Sequence, residues 1–204
     1  MPVRERPEYA VAFARGLEAV RAQDAGTLGA LGAVAAGARR YELPVLDERF
    51  VVDLEAGTVG RAGGDVPMVW RILALHYLSC RRPDSPFTRW MSYGDFQDGR
   101  VYEKVYAARV LSRLRATVGK DRATFAESCR RLRGERISQG DEGFLFQVFP
   151  RLAVAIAWYE GDDEFPPAAS FLLPDNALDF LVIEDLAVLS ENVVGRLQGA
   201  MRPR

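Results

Sequence analysis

A chain of 204 residues that is 49% hydrophobic can bury a large core, and its length suits one large domain. A formal charge of -1, from 27 Lys and Arg against 28 Asp and Glu, excludes the strongly basic balance of a dedicated nucleic-acid binder. No run of about 18 apolar residues is present to span a membrane. The charged start Met1 to Glu8 has no apolar core of a signal peptide, and Cys80 and Cys129 both sit in helical patterns as reduced thiols, so a cytoplasmic setting is expected.

In chain order, Tyr9, Phe13, Leu17 and Val20 recur at helical spacing from Glu8 to about Ala22, and a weaker Gly- and Ala-rich helix is predicted from Thr27 to Gly37. Residues 1–38 are thus expected to form a helical extension packed on the rest of a single domain, 1–204. Tyr41 to Leu46 and Phe50 to Leu54 read as a β-hairpin around Asp47, Glu48 and Arg49, with Pro44 placing the first strand at an edge. Gly57 and the Gly63-Gly64 pair mark turns. Asp65 is the expected N-cap, with Pro67 in the first turn, of a helix through Ser79 that is apolar almost all round and so central. Pro83 and Pro86 end it.

After an aromatic, irregular segment from Phe87 to Gly99, the residues Tyr102, Tyr106, Val110, Leu111, Leu114 and Val118 occupy one half of a helical wheel. Asp121 begins a shorter helix with Phe125, Cys129 and Leu132 on one face, and Gly134 stops it. Strand-like segments follow from Phe144. In Leu152 to Trp158 the residues Leu152, Val154, Ile156 and Trp158 alternate with Ala153, Ala155 and Ala157, giving one bulky face and one shallow face on which a helix could pack closely. An acidic turn, Gly161 to Pro167, leads to a strand over Ala168 to Leu173, and Asp175 or Asn176 is expected to cap a last helix reaching about Leu197. That helix carries Asp185 in the middle of its apolar stripe, where a carboxylate needs a partner; Asn192 and Arg196 share its azimuth.

Charge is segregated. From Arg100 to Arg136 there are eleven Lys and Arg against four acids, and from Ile137 to Glu191 one Arg against eleven acids. Solvated faces that attract one another weakly explain this; so does an anion site built on Arg130, Arg131, Arg133 and Arg136, since Arg suits oxyanions. No phosphate-loop, dinucleotide or nucleophile-elbow motif is present. His76 lies one turn before Cys80, but two ligands do not make a metal site, and a packed histidine accounts for it. Asp162, Asp163 and Glu164 cluster oxygens without the spacing of an EF-hand. Asp163 and Asp185 would serve acid–base chemistry only if the fold joined them. Trp90, Tyr93 and Phe96 suit either a core plug or an aromatic ligand pocket.

From Tyr41 onward the chain resembles an uncharacterised domain-of-unknown-function family found mainly in anaerobic microbes. The resemblance is carried by Ile72-Leu73-Ala74-Leu75-His76-Tyr77-Leu78, Trp90-Met91-Ser92-Tyr93, Gly140-Asp141, Pro150 to Val154, Gly161 to Pro166 and Glu184-Asp185-Leu186. It implies a fold unit with no established activity and an anaerobic redox or cofactor context. Some relatives carry an extra cysteine-rich iron-sulfur segment near the N-terminus. This chain has no Cys before Cys80, and two cysteines do not hold a cluster.

The expectation is an α+β fold, an antiparallel sheet covered by helices from both ends of the chain. Its function is expected to be that of an accessory domain, non-catalytic, binding a small anionic ligand, a cofactor or a partner protein, with no nucleic acid and no membrane. The candidate ligand-binding residues are Trp90, Tyr93, Asp141, Asp162, Asp163, Glu164, Asp185, Arg130 and Arg133. The alternative is a carboxylate-dependent enzyme, with magnesium as its candidate metal, built on Asp162, Asp163, Glu164 and Asp185.

Overall fold

The computed structural model describes residues 7–80 and 82–201, so the charged stretch Met1 to Arg6 lies outside them. The fold is α+β with antiparallel sheets, as the sequence implies. The chain divides into two compact units. One holds the residues up to Ser85 with Phe149–Arg151 and Asp179–Leu181; the other holds Pro86–Val148, Leu152–Leu178 and the chain from Val182.

The first unit contains helix α1 (Pro7–Arg21), the short α2 (Ala25–Ala30), strands β1 (Val34–Ala35), β2 (Arg40–Val45), β3 (Glu48–Asp53) and β4 (Thr58–Arg61), and helix α3 (Met68–Leu78). The strands form a four-stranded antiparallel sheet in chain order. Leu43, Val45, Phe50, Val52 and Val59 are buried on one face, the period of two that a half-covered strand requires. The hairpin turn is tighter than expected. Val45 pairs Glu48, leaving only Leu46 and Asp47 in the turn, with Leu46 at φ 53°. Pro44 sits beyond the end of β1, which pairs only with Tyr41 and Glu42, so its missing N–H disturbs no ladder. The expected helix over Thr27 to Gly37 stops at Ala30. Gly32 takes φ 83°, a conformation closed to helices, and the chain turns into β1.

Helix α3 buries Trp70, Ile72, Leu73, Leu75, Tyr77 and Leu78, as its all-round apolarity predicts. Asp65 does not cap it. Its carboxylate pairs with Arg71, and Pro67 occupies the N-cap position. Helices α1 and α3 pack together at Gly16, where a Cβ would stand 3.0 Å from Leu75 Cβ, so a larger residue would require α3 to give way. The polar hub of the unit is Tyr77. Its hydroxyl donates to Leu31 O at 2.7 Å and accepts from Arg151 N at 3.0 Å, while its ring stacks on Phe149 at 4.5 Å.

In the second unit β5 (Trp90–Met91), β6 (Glu135–Ile137), β7 (Glu142–Phe149), β8 (Leu152–Tyr159) and β9 (Ala168–Pro174) form a five-stranded sheet in the order β5-β9-β8-β7-β6. The tip of the β7–β8 hairpin belongs to the first unit. The alternation read in Leu152 to Trp158 is that of β8, but helical cover is found on its bulky face. Trp158 Nε1 donates to Gly119 O at 3.0 Å, and a Cβ at Gly119 would meet the Cβ of Ala169, the residue paired with Trp158. On the shallow face Ala155 and Ala157 are buried, while Ala153, Leu145, Ser170 and Leu172 remain partly exposed. The physical reason is volume: Trp158, Ile156 and Phe171 supply the apolar area that helices must cover.

The helix expected over Tyr102 to Val118 is broken into α4 (Gly99–Tyr106), a π-helical segment (Ala107–Leu111) and α5 (Ser112–Ala116). Its buried positions Tyr106, Val110, Leu114 and Val118 repeat every fourth residue. In a regular α-helix each such step overshoots by about 40°, so the stripe would leave the core. The wider π turn brings it back. Helix α6 (Arg122–Arg131) is capped by Asp121, whose Oδ1 accepts from Thr124 N at 2.8 Å, and its Phe125 meets Phe144 edge to face. Arg133, not Gly134, takes the left-handed stop at φ 58°. The last helical stretch is α7 (Ala177–Phe180) followed by α8 (Ile183–Ala200), which packs on α6 and on the π segment. Asp175 does not cap it, because its carboxylate binds Thr88 N and the Thr88 hydroxyl.

Candidate functional site

Within the second unit, the 3₁₀ turn Tyr93–Asp95, helix α4 and the first turns of α8 enclose a cleft of about 480 Å³. Its apolar surface comes from Val101, Ile183, Ala187 and Val188. Tyr93 and Tyr102 add aromatic walls, and Arg109, Asp98 and Glu184 bring charge to it. That volume lies within the range of small-molecule sites, about 300–1,000 Å³.

Each wall is held in place by its own partners. Tyr93 is buried, its hydroxyl donates to Ile183 O at 3.2 Å, and its ring lies flat on Tyr106 at 4.1 Å, which fixes the 3₁₀ turn against α8. Burial pushes the Tyr93 phenol up, and the Glu184 charge pushes it further. The turn itself is closed by a capping box between Ser92 and Asp95. Arg109 stands in the π segment. Its Nη1 donates to Tyr102 Oη at 2.9 Å and its Nη2 to Glu191, so the guanidinium is gripped by a hydroxyl and a carboxylate and its pKa rises, the Tyr102 bond being the chief cause. Glu191 is not part of the cleft wall; it orients Arg109 from outside, leaving other N–H donors available. Asp98 and Glu184 make no side-chain hydrogen bond among those of the described residues and are exposed.

Behind this wall lies an unusual group. Tyr106 is 2% exposed and its hydroxyl has no hydrogen-bond partner of ordinary geometry. Ser190 lies close enough to pull its pKa down against the larger upward push of burial; its own proton goes to Leu186 O at 2.8 Å, so toward Tyr106 its oxygen can only accept.

Of the residues singled out from sequence, Tyr93 lies in the cleft wall, and Asp185 is next to Glu184 in the first turn of α8, half-buried and engaged by a partner of its own. Trp90 is elsewhere, in edge strand β5 opposite Pro174, with its ring against Phe87 at 4.8 Å. Asp141 has a structural role, its Oδ2 accepting from Glu160 N at 2.7 Å. Asp162 closes the acidic turn by accepting from Glu164 N and Phe165 N, which lowers its pKa, while Asp163 and Glu164 are exposed.

The arginines do not converge. Arg130 and Arg131 both reach Glu127, Arg131 also donates to Ala200 O, Arg136 reaches Glu142, and Arg133 is exposed. Basic and acidic segments meet instead pair by pair within the unit, through Arg109–Glu191, Arg122–Glu142 and Arg136–Glu142. Among the described residues no group of three or more His, Cys, Asp and Glu could hold a metal ion. Cys80 and Cys129 are free and buried, and desolvation raises both thiols.

Residues 27–196 match the model of a family described as a domain of unknown function, DUF3786. The chain belongs to that family. No curated protein and no solved structure matches it. The match spans both units, and every residue of the cleft falls inside it. No helix of the described residues is long and apolar enough to cross a membrane.

Sequence reasoning misses Asp98, Val101, Tyr102 and Arg109 as neighbours of Tyr93, because by spacing Tyr102 belongs to a core stripe. The available signal is the four-residue period of that stripe, which marks an underwound helix, and π segments occur often at functional sites.

Proposed function

We propose that this chain is a non-catalytic binding domain whose site is the cleft between α4 and α8. The observation that carries the reading is the combination of an apolar hollow with a guanidinium at its wall, held by Tyr102 and Glu191 in advance of any ligand. Such a group loses little freedom on binding, which is what pre-organisation means for affinity. A cytoplasmic setting fits two free, buried thiols. The ligand is a small amphipathic molecule rather than a polyanion, because the Arg-rich segment is divided among Glu127, Glu142 and Glu191.

Thermal shift against a panel of organic acids, amines, amino acids and nucleotides tests this, since a ligand that prefers the native state raises its melting temperature. Val188→Trp fills the cleft from a half-buried position on α8. The expected result is a ligand-induced shift in the wild type that Val188→Trp abolishes. A shift of equal size in both proteins places the site elsewhere.

A further inference from the structure

The cleft carries charge of both signs, and their arrangement specifies a ligand class. Arg109 lines the cleft with its Nη1 on Tyr102 and its Nη2 on Glu191, which leaves further N–H donors on the same guanidinium for a carboxylate. Asp98 and Glu184 contribute to the same cleft from two different elements, the start of α4 and the start of α8, with carboxylates that no Lys, Arg or His pairs with among the described residues. Between these charges the surface is apolar, with Tyr102 half-buried and Val101 94% exposed at the mouth. A plain anion would leave Asp98 and Glu184 opposing it. A plain cation would make no use of the Arg109 N–H donors that Tyr102 and Glu191 leave free.

We infer that the cleft takes a zwitterion with an apolar body, of the kind an aromatic or branched α-amino acid presents: carboxylate on Arg109, ammonium toward Asp98 and Glu184, side chain against Ile183, Ala187 and Val188. The inference rests on the cleft being the binding site. Specificity follows from the partner lost at one end, because an analogue that lacks one charge forgoes the contacts that end would make. The Tyr102 and Tyr93 rings add faces suited to an aromatic side chain or to the ammonium group.

Isothermal titration of the full chain with L-phenylalanine, 3-phenylpropionate and 2-phenylethylamine tests it. Phenylalanine is expected to bind at least about tenfold more tightly than either half-analogue, in line with the worth of a charge-assisted bond. Arg109→Met should weaken phenylalanine and phenylpropionate and spare phenylethylamine; the Asp98→Asn, Glu184→Gln double variant should do the reverse. Unchanged melting temperatures in the variants separate lost recognition from lost fold. Equal or tighter binding of either half-analogue overturns the zwitterion and leaves the cleft as a site. Absence of binding by all three, beside a shift with another panel compound that Val188→Trp abolishes, also overturns it while the reading of the cleft stands.

Discussion

Two buried tyrosines, one in each unit, are packed alike and satisfied differently. Tyr77 stacks on Phe149 and Tyr106 on Tyr93, each with rings within 10° of parallel. The Tyr77 hydroxyl both donates and accepts, tying α3 to Leu31 O and Arg151 N. That of Tyr106 is buried with no bond of ordinary geometry. The first arrangement is what a core requires, since a buried polar group without a partner is destabilising. The second stands directly behind the wall of a cleft, beside a π segment. The contrast sets a fully bonded hub in the first unit against a poorly bonded hydroxyl beside the cleft of the second.

Removing each hydroxyl turns the contrast into numbers. Tyr77→Phe leaves Leu31 O and Arg151 N without their partner, at a cost of about 2–4 kcal/mol in denaturant unfolding. Tyr106→Phe removes a hydroxyl that approaches Ser190 without a bond of ordinary geometry, so its effect should lie within about 0.5 kcal/mol of zero or be stabilising. A loss for Tyr106→Phe as large as that for Tyr77→Phe would erase the distinction between the two units.

Acid separates the units on a smaller scale. In the second unit Asp121, Asp162 and Asp175 have pKa values lowered by hydrogen bonds from Thr124, Phe165 and Thr88 respectively, and Glu127 by Arg131, while in the first unit Asp24 is lowered by Thr27. A depressed carboxylate contributes stability that is present in full above its unfolded value, about 3.9, and is lost as the pH falls through the folded one. Hydrogen exchange recorded stepwise below about pH 4 is therefore expected to show protection failing first in α6 and β9. Replacing Asp121, Asp162 and Asp175 by Asn, which keeps an acceptor without the charge, should flatten that acid limb; an unchanged limb means that these carboxylates do not set the acid stability of the second unit.

Much of the fold is legible in the sequence because its signals are local. Strand β8 shows itself by alternation, β9 by its flanking turn, α3 by being apolar all round, and α6 by Asp121. Errors arise where a distant partner decides. β1 exists because Val34 and Ala35 pair with Glu42 and Tyr41, against the helix preference of an Ala-rich run. Asp175, a good N-cap by type, is held by Thr88, 87 residues away in the chain. The cleft is half visible. Tyr93 and the start of α8 stand out by residue type, but Arg109 is set by a change of helical pitch that residue type does not reveal, and the four Arg from Arg130 onward resemble an anion site only until Glu127 and Glu142 are seen to occupy three of them.

A ligand should therefore be felt in the hollow between α4 and α8 and not in the core around Tyr77. Methyl NMR of the full chain titrated with L-phenylalanine, and with any compound that shifts the melting temperature, decides the matter. The expected perturbations are concentrated on the methyl groups of Val101, Ile183, Ala187 and Val188, with Leu31, Leu43 and Val52 unmoved. Saturable perturbations centred on the first unit, with those four methyl-bearing residues silent, would contradict it.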